Sequence, residues 1–150
     1  MKFGIDTNIL VYASGYDDVS RHRQCAELLD SLKPHSIFLS LQVIAEFHRV
    51  ISRKTLNKAL ASELVADLAS TYGVAGMDAR ILPAALEPAS KHQFQIFDAL
   101  ILAQCADGDC ELLLSEDMHD GLRWKGCTVV NPLAVIVSPL LTAALGRNEI

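Results

Sequence analysis

The sequence predicts an α/β fold, with a central parallel sheet of four to five strands and helices on both faces. Two observations predict it. Short apolar runs, among them KFGI (2–5), SIFLS (36–40), ELLLS (111–115) and CTVVN (127–131), have the length and composition of buried strands. Between them stand longer segments whose apolar residues recur at helical spacing. Strands that alternate with helices are the mark of βαβ units and a parallel sheet.

The elements follow in order. KFGI meets a polar residue at once and forms strand one. Residues 21–32 place Cys25, Ala26, Leu28, Leu29 and Leu32 on a helical stripe, with Asp18 or Ser20 as the cap and Pro34 as the stop. SIFLS is the second strand. Residues 41–52 carry the stripe Val43, Ile44, Phe47, Val50 and Ile51, and residues 57–71 form another helix capped by Asn57. YGVAGM (72–77) reads as a short third strand. Residues 78–92 read as a helix, although Pro83 and Pro88 break its pattern. FDALILAQCA (97–106) is a strongly apolar helix, ELLLS a fourth strand and CTVVN a fifth, closed by Pro132. SGYDDVS (14–20) and residues 146–150 read as mobile surface. Repeats, low-complexity segments and interdomain linkers are absent, and residues 1–150 read as a single domain.

With 150 residues the chain can bury about 68–70% of its unfolded surface and needs no staples. Its four cysteines, Cys25, Cys105, Cys110 and Cys127, form no CxxC pair and no zinc spacing, so they are expected to be reduced, mostly buried thiols of a cytoplasmic protein. The start of the chain lacks the pattern of a signal peptide, and the apolar stretch 133–145 is broken by Pro139 and too short to span a bilayer. A net charge of -5 argues against wholesale electrostatic binding of a polyanion. It leaves room for a nucleic-acid enzyme whose acids gather where metals sit.

Four carboxylates do not fit their surroundings. Asp6 interrupts the apolar run that opens the chain, and Asp117 follows the fourth strand. Glu46 lies on or beside the stripe of Val43 and Val50. Asp98 leads Ile101, Leu102 and Cys105 at i+3, i+4 and i+7. Each has a plain alternative: Asp98 as an N-cap, Glu46 at the edge of its stripe, Asp117 as a turn cap. In parallel sheets the ligand site lies beyond the carboxyl ends of the strands, where Asp6, Ser115, Glu116 and Asp117 fall. Carboxylates packed together repel and take up protons, and a divalent cation removes that cost. Oxygen ligands select Mg²⁺ or Mn²⁺ over zinc, and such ions also bind substrate phosphates. Hydrolysis of a phosphodiester follows from that chemistry. Two such ions would cancel four of the five net negative charges.

The constellation resembles the PIN domain, and within it the VapC-type toxin ribonucleases of prokaryotic toxin–antitoxin pairs. The resemblance rests on GIDTNILVYA (4–13), IAEFHRV (44–50), FDALILAQCADGDCELLLSEDM (97–118) and VVNP (129–132), which together run the length of the chain. It implies a PIN-like fold and an endoribonuclease in which Asp6, Glu46, Asp98 and Asp117 hold Mg²⁺ or Mn²⁺, with Asn8 and Ser115 as polar supports. The family commonly places another acid two residues after the one matching Asp117. Here His119 stands there and Asp120 follows, so Asp120 is a further candidate ligand and the count of one or two ions stays open. The resemblance also implies an RNA substrate, a homodimer, and an antitoxin that covers the acidic site with a basic side chain. The apolar helices around residues 41–70 agree with a dimer. Asn8 is equally a candidate N-cap of the first helix.

His22, His35, His48, His92 and His119 show no metal spacing; His119 is the one near the site, a candidate substrate contact or plain exposed surface. Arg49, Arg53, Lys54, Lys91, Arg123 and Lys125 are candidate phosphate contacts or plain solvated surface. A haloacid-dehalogenase-type phosphatase also sets Asp after strand one, but expects a second Asp where Asn8 stands. A dinucleotide-binding fold needs a glycine-rich turn that DTNILVYASG does not offer. A non-catalytic RNA- or protein-binding module of the same fold is the remaining alternative.

Overall fold

The structure is a computed structural model that describes residues 1–146; the expected mobile tail, apart from Gly146, lies outside the described residues. Five strands make one sheet in the order β2-β1-β3-β5-β4. They are β1 (Lys2–Ile5), β2 (Ser36–Phe38), β3 (Leu112–Leu114), β4 (Arg123–Trp124) and β5 (Cys127–Val130). β1, β2, β3 and β5 run parallel, and β4 is antiparallel to β5. Every residue of β3 and β5 is buried, as are Phe3, Gly4 and Ile5 of β1, so the centre of the sheet is covered on both faces.

The described helices are α1 (Thr7–Ala13), α2 (Val19–Ser31), α3 (Leu41–Thr55), α4 (Lys58–Tyr72), α5 (Ile81–Lys91), α6 (Ile96–Asp107) and α7 (Pro139–Ala144). α1 packs on α2, α3 on α4 and α5 on α6. Caps set most of their starts. Asp18, rather than Ser20, accepts from Arg21 N to open α2. Ser40 accepts from Val43 N to open α3, and Asn57 from Leu60 N to open α4. None of the described helices is long and apolar enough to cross a membrane. All four cysteines are free and buried.

Two details depart from the sequence expectation, and a third, the helix over 78–92, agrees with it. YGVAGM is not a strand: only Ala75 pairs, in a single parallel bridge with Ser40, because flanking glycines and solvent exposure leave nothing to bury. β4 was not anticipated. Lys125 and Gly126 both take positive φ, as primed two-residue hairpin turns require, and fold Arg123–Trp124 back on β5. The prolines of α5 do not break it. Pro83 is its third residue, where the N–H has no intrahelical acceptor in any case, and Pro88 is buried inside it at the loss of one helical bond.

The register of β1 against β3, Phe3 with Leu112 through Ile5 with Leu114, brings the ends of the two strands level. Gly4 lies at the middle of that pairing, directly under α6. A Cβ there would collide with Cys105 Sγ and lie 3.2 Å from Leu113 Cδ1. Gly4→Ala is therefore expected to lose about 1–3 kcal/mol by overpacking, measured by urea denaturation. Cys105→Ala in the same chain should restore part of the loss. An unchanged midpoint for Gly4→Ala would show that α6 gives way freely.

Candidate functional site

β1 has β2 on one side and β3 on the other, so the chain reverses its direction across the sheet at β1. Crevices at such switch points, beyond the strand ends, are where α/β sheets bind ligands. Asp6 stands there and is 5% exposed. Its backbone N–H donates to Leu114 O at 2.9 Å, the last rung between the two strands. Its side chain caps α1: Oδ1 accepts from Thr7 N at 2.7 Å. Oδ2 accepts from Ser115 Oγ, also at 2.7 Å. Ser115 is fully buried, and its Oγ in turn accepts from Met118 N at 3.2 Å, which shapes the turn after β3.

The other three acids reach the same edge from other elements. Glu46, half-buried on α3, accepts from Thr7 Oγ1 at 2.8 Å and from Gln42 Nε2 at 2.8 Å. Asp98 is half-buried in the first turn of α6. It is not the N-cap, since Gln95 holds that position without a side-chain bond. Asp117 is exposed and accepts from Asn8 Nδ2. Asn8 is likewise not the cap of α1; that place belongs to Asp6.

The groups feel one another. Burial pushes the Asp6 carboxyl up to about 6, and the charges of Asp98 and Glu46 add to it, while the bonds from Ser115 and Thr7 pull it down. Asp98 is raised too, by burial first and then by Glu46 and Asp117. An all-oxygen donor set with uncancelled repulsion has the chemistry a hard divalent cation takes. Each carboxylate oxygen already bonded keeps a second lone pair for such an ion. The fit is one of chemistry rather than of closed geometry. Among the described residues, no three His, Cys, Asp or Glu side chains come together as a ligand cluster.

Two neighbours have other attachments. Asp120 Oδ1 accepts from Asn131 N at 2.8 Å and ties the loop after β3 to the end of β5. The exposed His119 ring stacks on Phe94 with centroids 4.8 Å apart. Sequence reasoning missed Thr7, Gln42, Tyr12 and Arg21. Gln42 carried a signal, one helical turn before Glu46. Tyr12 OH donates to Glu116 Oε2 at 2.8 Å, Arg21 Nη1 donates to Tyr12 OH at 2.7 Å, and Arg21 pairs with Glu116. This latch joins α1, α2 and the loop that carries Asp117.

The raised Asp6 carboxyl gives a pH prediction. A carboxyl with a higher pKa in the fold than in the unfolded chain opposes folding once it ionises. Below about pH 4 it is protonated in both states and costs nothing. From there to about 6 the unfolded chain releases its proton first, and above that the whole cost is present. In metal-free protein, Asp6→Asn should therefore match wild type near pH 4 and exceed it at pH 7 by on the order of 1–3 kcal/mol. Urea denaturation across this range measures the difference, and added Mg²⁺ should narrow it. A gain that does not change with pH would mean that the Asp6 charge is not what opposes folding.

Comparison with known proteins agrees with this architecture. The PIN domain model matches residues 4–119, a stretch that contains Asp6, Glu46, Asp98 and Asp117. Similar solved structures include VapC20 of Mycobacterium tuberculosis, described as a toxin that cleaves the sarcin-ricin loop. It is 23% identical with a TM-score of 0.64, over 74% of this chain and 86% of that one. A toxin–antitoxin complex from Klebsiella pneumoniae is 21% identical with a TM-score of 0.65, over 88% and 98%. VapBC2 of Rickettsia felis, bound to a DNA fragment from its promoter, is 19% identical with a TM-score of 0.64, over 86% and 97%. No curated protein sequence matches the chain. At these identities the structures establish a shared fold, while the match over residues 4–119 establishes the family: the chain belongs to the PIN domain family.

Proposed function

We propose that this protein is a Mg²⁺- or Mn²⁺-dependent endoribonuclease and the toxin of a toxin–antitoxin pair. The observation that carries the reading is the arrival of Asp6, Glu46, Asp98 and Asp117 from four separate elements at one edge of the sheet, within the stretch matched to the PIN domain. Support for RNA and for the toxin role comes from the structural neighbours, one named as a cleaver of the sarcin-ricin loop and another as a toxin–antitoxin complex.

In this reading Asp6, Glu46, Asp98 and Asp117 hold one or two ions, with Asp120 a further candidate ligand. An ion held there would supply Lewis-acid chemistry for activating water and for offsetting charge on the phosphate. The chain's own part is orientation. Ser115 and Thr7 N fix the Asp6 carboxylate and favour its ionised form. Thr7 Oγ1 and Gln42 aim Glu46, and Asn8 aims Asp117. The proposed partners are a second copy of the chain and an antitoxin that meets the acidic edge with Arg or Lys.

A second reading has one observation in its favour. The four acids do not close into a ligand cluster among the described residues, as in a module that binds RNA or protein without cutting it.

Cleavage of single-stranded RNA should require Mg²⁺ or Mn²⁺ and stop in EDTA. Asp6→Asn and Asp98→Asn should each lose about a hundredfold or more, and Ser115→Ala, which only orients Asp6, about 10–100-fold, all with native far-UV circular dichroism. Expression of the chain should arrest growth, and the Asp6→Asn form should not. RNA binding without cleavage at millimolar Mg²⁺ or Mn²⁺ would decide for the second reading.

A further inference from the structure

Beside the acidic edge lies a cavity of about 230 Å³ lined by Gln42, Ala45, Glu46, Arg49 and Phe97. Two of these residues have no structural employment. Phe97 directly precedes Asp98 at the start of α6, yet its side chain is 56% exposed. Arg49 lies one turn after Glu46 on α3, is exposed, and forms no ion pair among the described residues. Gln42 gives one N–H to Glu46 Oε1 and keeps its carbonyl and a second N–H for another partner.

An exposed aromatic face, an unpaired guanidinium and a half-used amide around a small cavity match the parts of one unpaired nucleotide. Aromatic rings stack on bases that duplexes keep hidden, guanidinium groups grip phosphates, and amides meet base edges. The cavity, about 230 Å³, has room for one base. It shares Glu46 with the acidic edge, and so continues directly from it. The charge also fits. In a chain of net charge -5, an unpaired Arg next to carboxylates is the group that offsets the phosphate repulsion they create.

We propose that Phe97 and Arg49 form a nucleotide subsite for single-stranded RNA, with one base stacked on the Phe97 ring and its phosphate on Arg49. The subsite rests on the ribonuclease reading for its substrate. Phe97 and Arg49 position the strand and take no part in the chemistry.

The probe is a short single-stranded RNA with one 2-aminopurine, bound by the full chain in EDTA so that cleavage does not intervene. Binding should quench the 2-aminopurine, and a duplex of the same sequence should show no quench. Phe97→Ala should weaken binding roughly 5- to 150-fold and abolish the quench, while Phe97→Trp keeps both. Arg49→Gln should weaken binding and flatten the salt dependence by about 0.7 log unit per log unit of salt. Arg23→Gln, which removes the same charge from α2, should leave that slope unchanged. With Mg²⁺, Phe97→Ala should raise KM by a larger factor than it lowers kcat.

The two proposals fail separately. Quench and salt signatures without cleavage would sustain the subsite and sink the nuclease. Cleavage with Phe97→Ala and Arg49→Gln indistinguishable from wild type would sink the subsite and leave the nuclease. Failure of the wild type to bind the single strand overturns the subsite. So does a wild-type dimer that Phe97→Ala turns into monomer by light scattering, since a second copy would then occupy the face.

Discussion

Asp6 puts a carboxylate at the end of a buried strand, and burial of a charge is tolerated only where bonds or counter-charge replace the water it loses. Here the replacements are Thr7 N on one oxygen and Ser115 Oγ on the other. Both demand a particular backbone. Thr7 N is free to donate only because α1 begins at that residue, and helices leave their first N–H groups unpaired. Ser115 Oγ reaches Asp6 only if β1 and β3 end level, which their register ensures. That close pairing runs directly beneath α6 and leaves no room for a side chain at position 4. The packing of sheet against helix and the placement of the acid are one arrangement.

α1 distributes that order to the rest of the edge. It has seven residues; its cap is the acid Asp6, and three of its members each meet a further acid. Thr7 bonds Glu46 on α3, Asn8 bonds Asp117, and Tyr12 bonds Glu116. Asn8 and Tyr12 are four apart and so share a helix face, the one turned to the loop after β3. Thr7 lies about 100° around the axis and meets α3 instead. Ile9, Leu10 and Val11 are buried and hold the helix in place. Arg21 closes the far side by pairing with Glu116, which anchors the residue next to Asp117. A short helix, too short to be stable alone, becomes rigid because both its ends are tied to other elements.

The fold class and most elements were plain in the sequence, because buried strands and amphipathic helices write their periods locally. KFGI, ELLLS and CTVVN became β1, β3 and β5 almost residue for residue, and Asn57 capped α4 as its position required. What it hid was non-local or marginal. β4 is two residues long and depends on positive φ at Lys125, an unusual residue for that turn, so no strong hairpin signal marked it. YGVAGM had strand composition without a buried place to use it. The acids were visible as misfits in their own segments, but their partners were not. Ser115 bonds Asp6 and Asn8 bonds Asp117 across 109 positions, distances at which only the fold brings residues together. For Asp98 the sequence left an N-cap open, and Gln95 took that place.

The repulsion at this edge is what gives the proposed function its economy. Asp6 and Asp98 are both held above their ordinary range, and neither of the bonds to Asp6 supplies positive charge. The guanidinium of Arg21 is spent on Glu116 and Tyr12. Asp6 and Asp98 therefore carry a charge that their own partners do not offset. Under the proposed reading, two visitors answer it with one chemistry. A divalent ion answers it as cofactor, an antitoxin Arg or Lys answers it as inhibitor, and each excludes the other by occupying the same deficit. RNA, in that reading, is cleaved only with the ion in place. Under the proposed reading, the same uncompensated acids that oppose the metal-free fold make the active form conditional on metal and open to control by a basic partner.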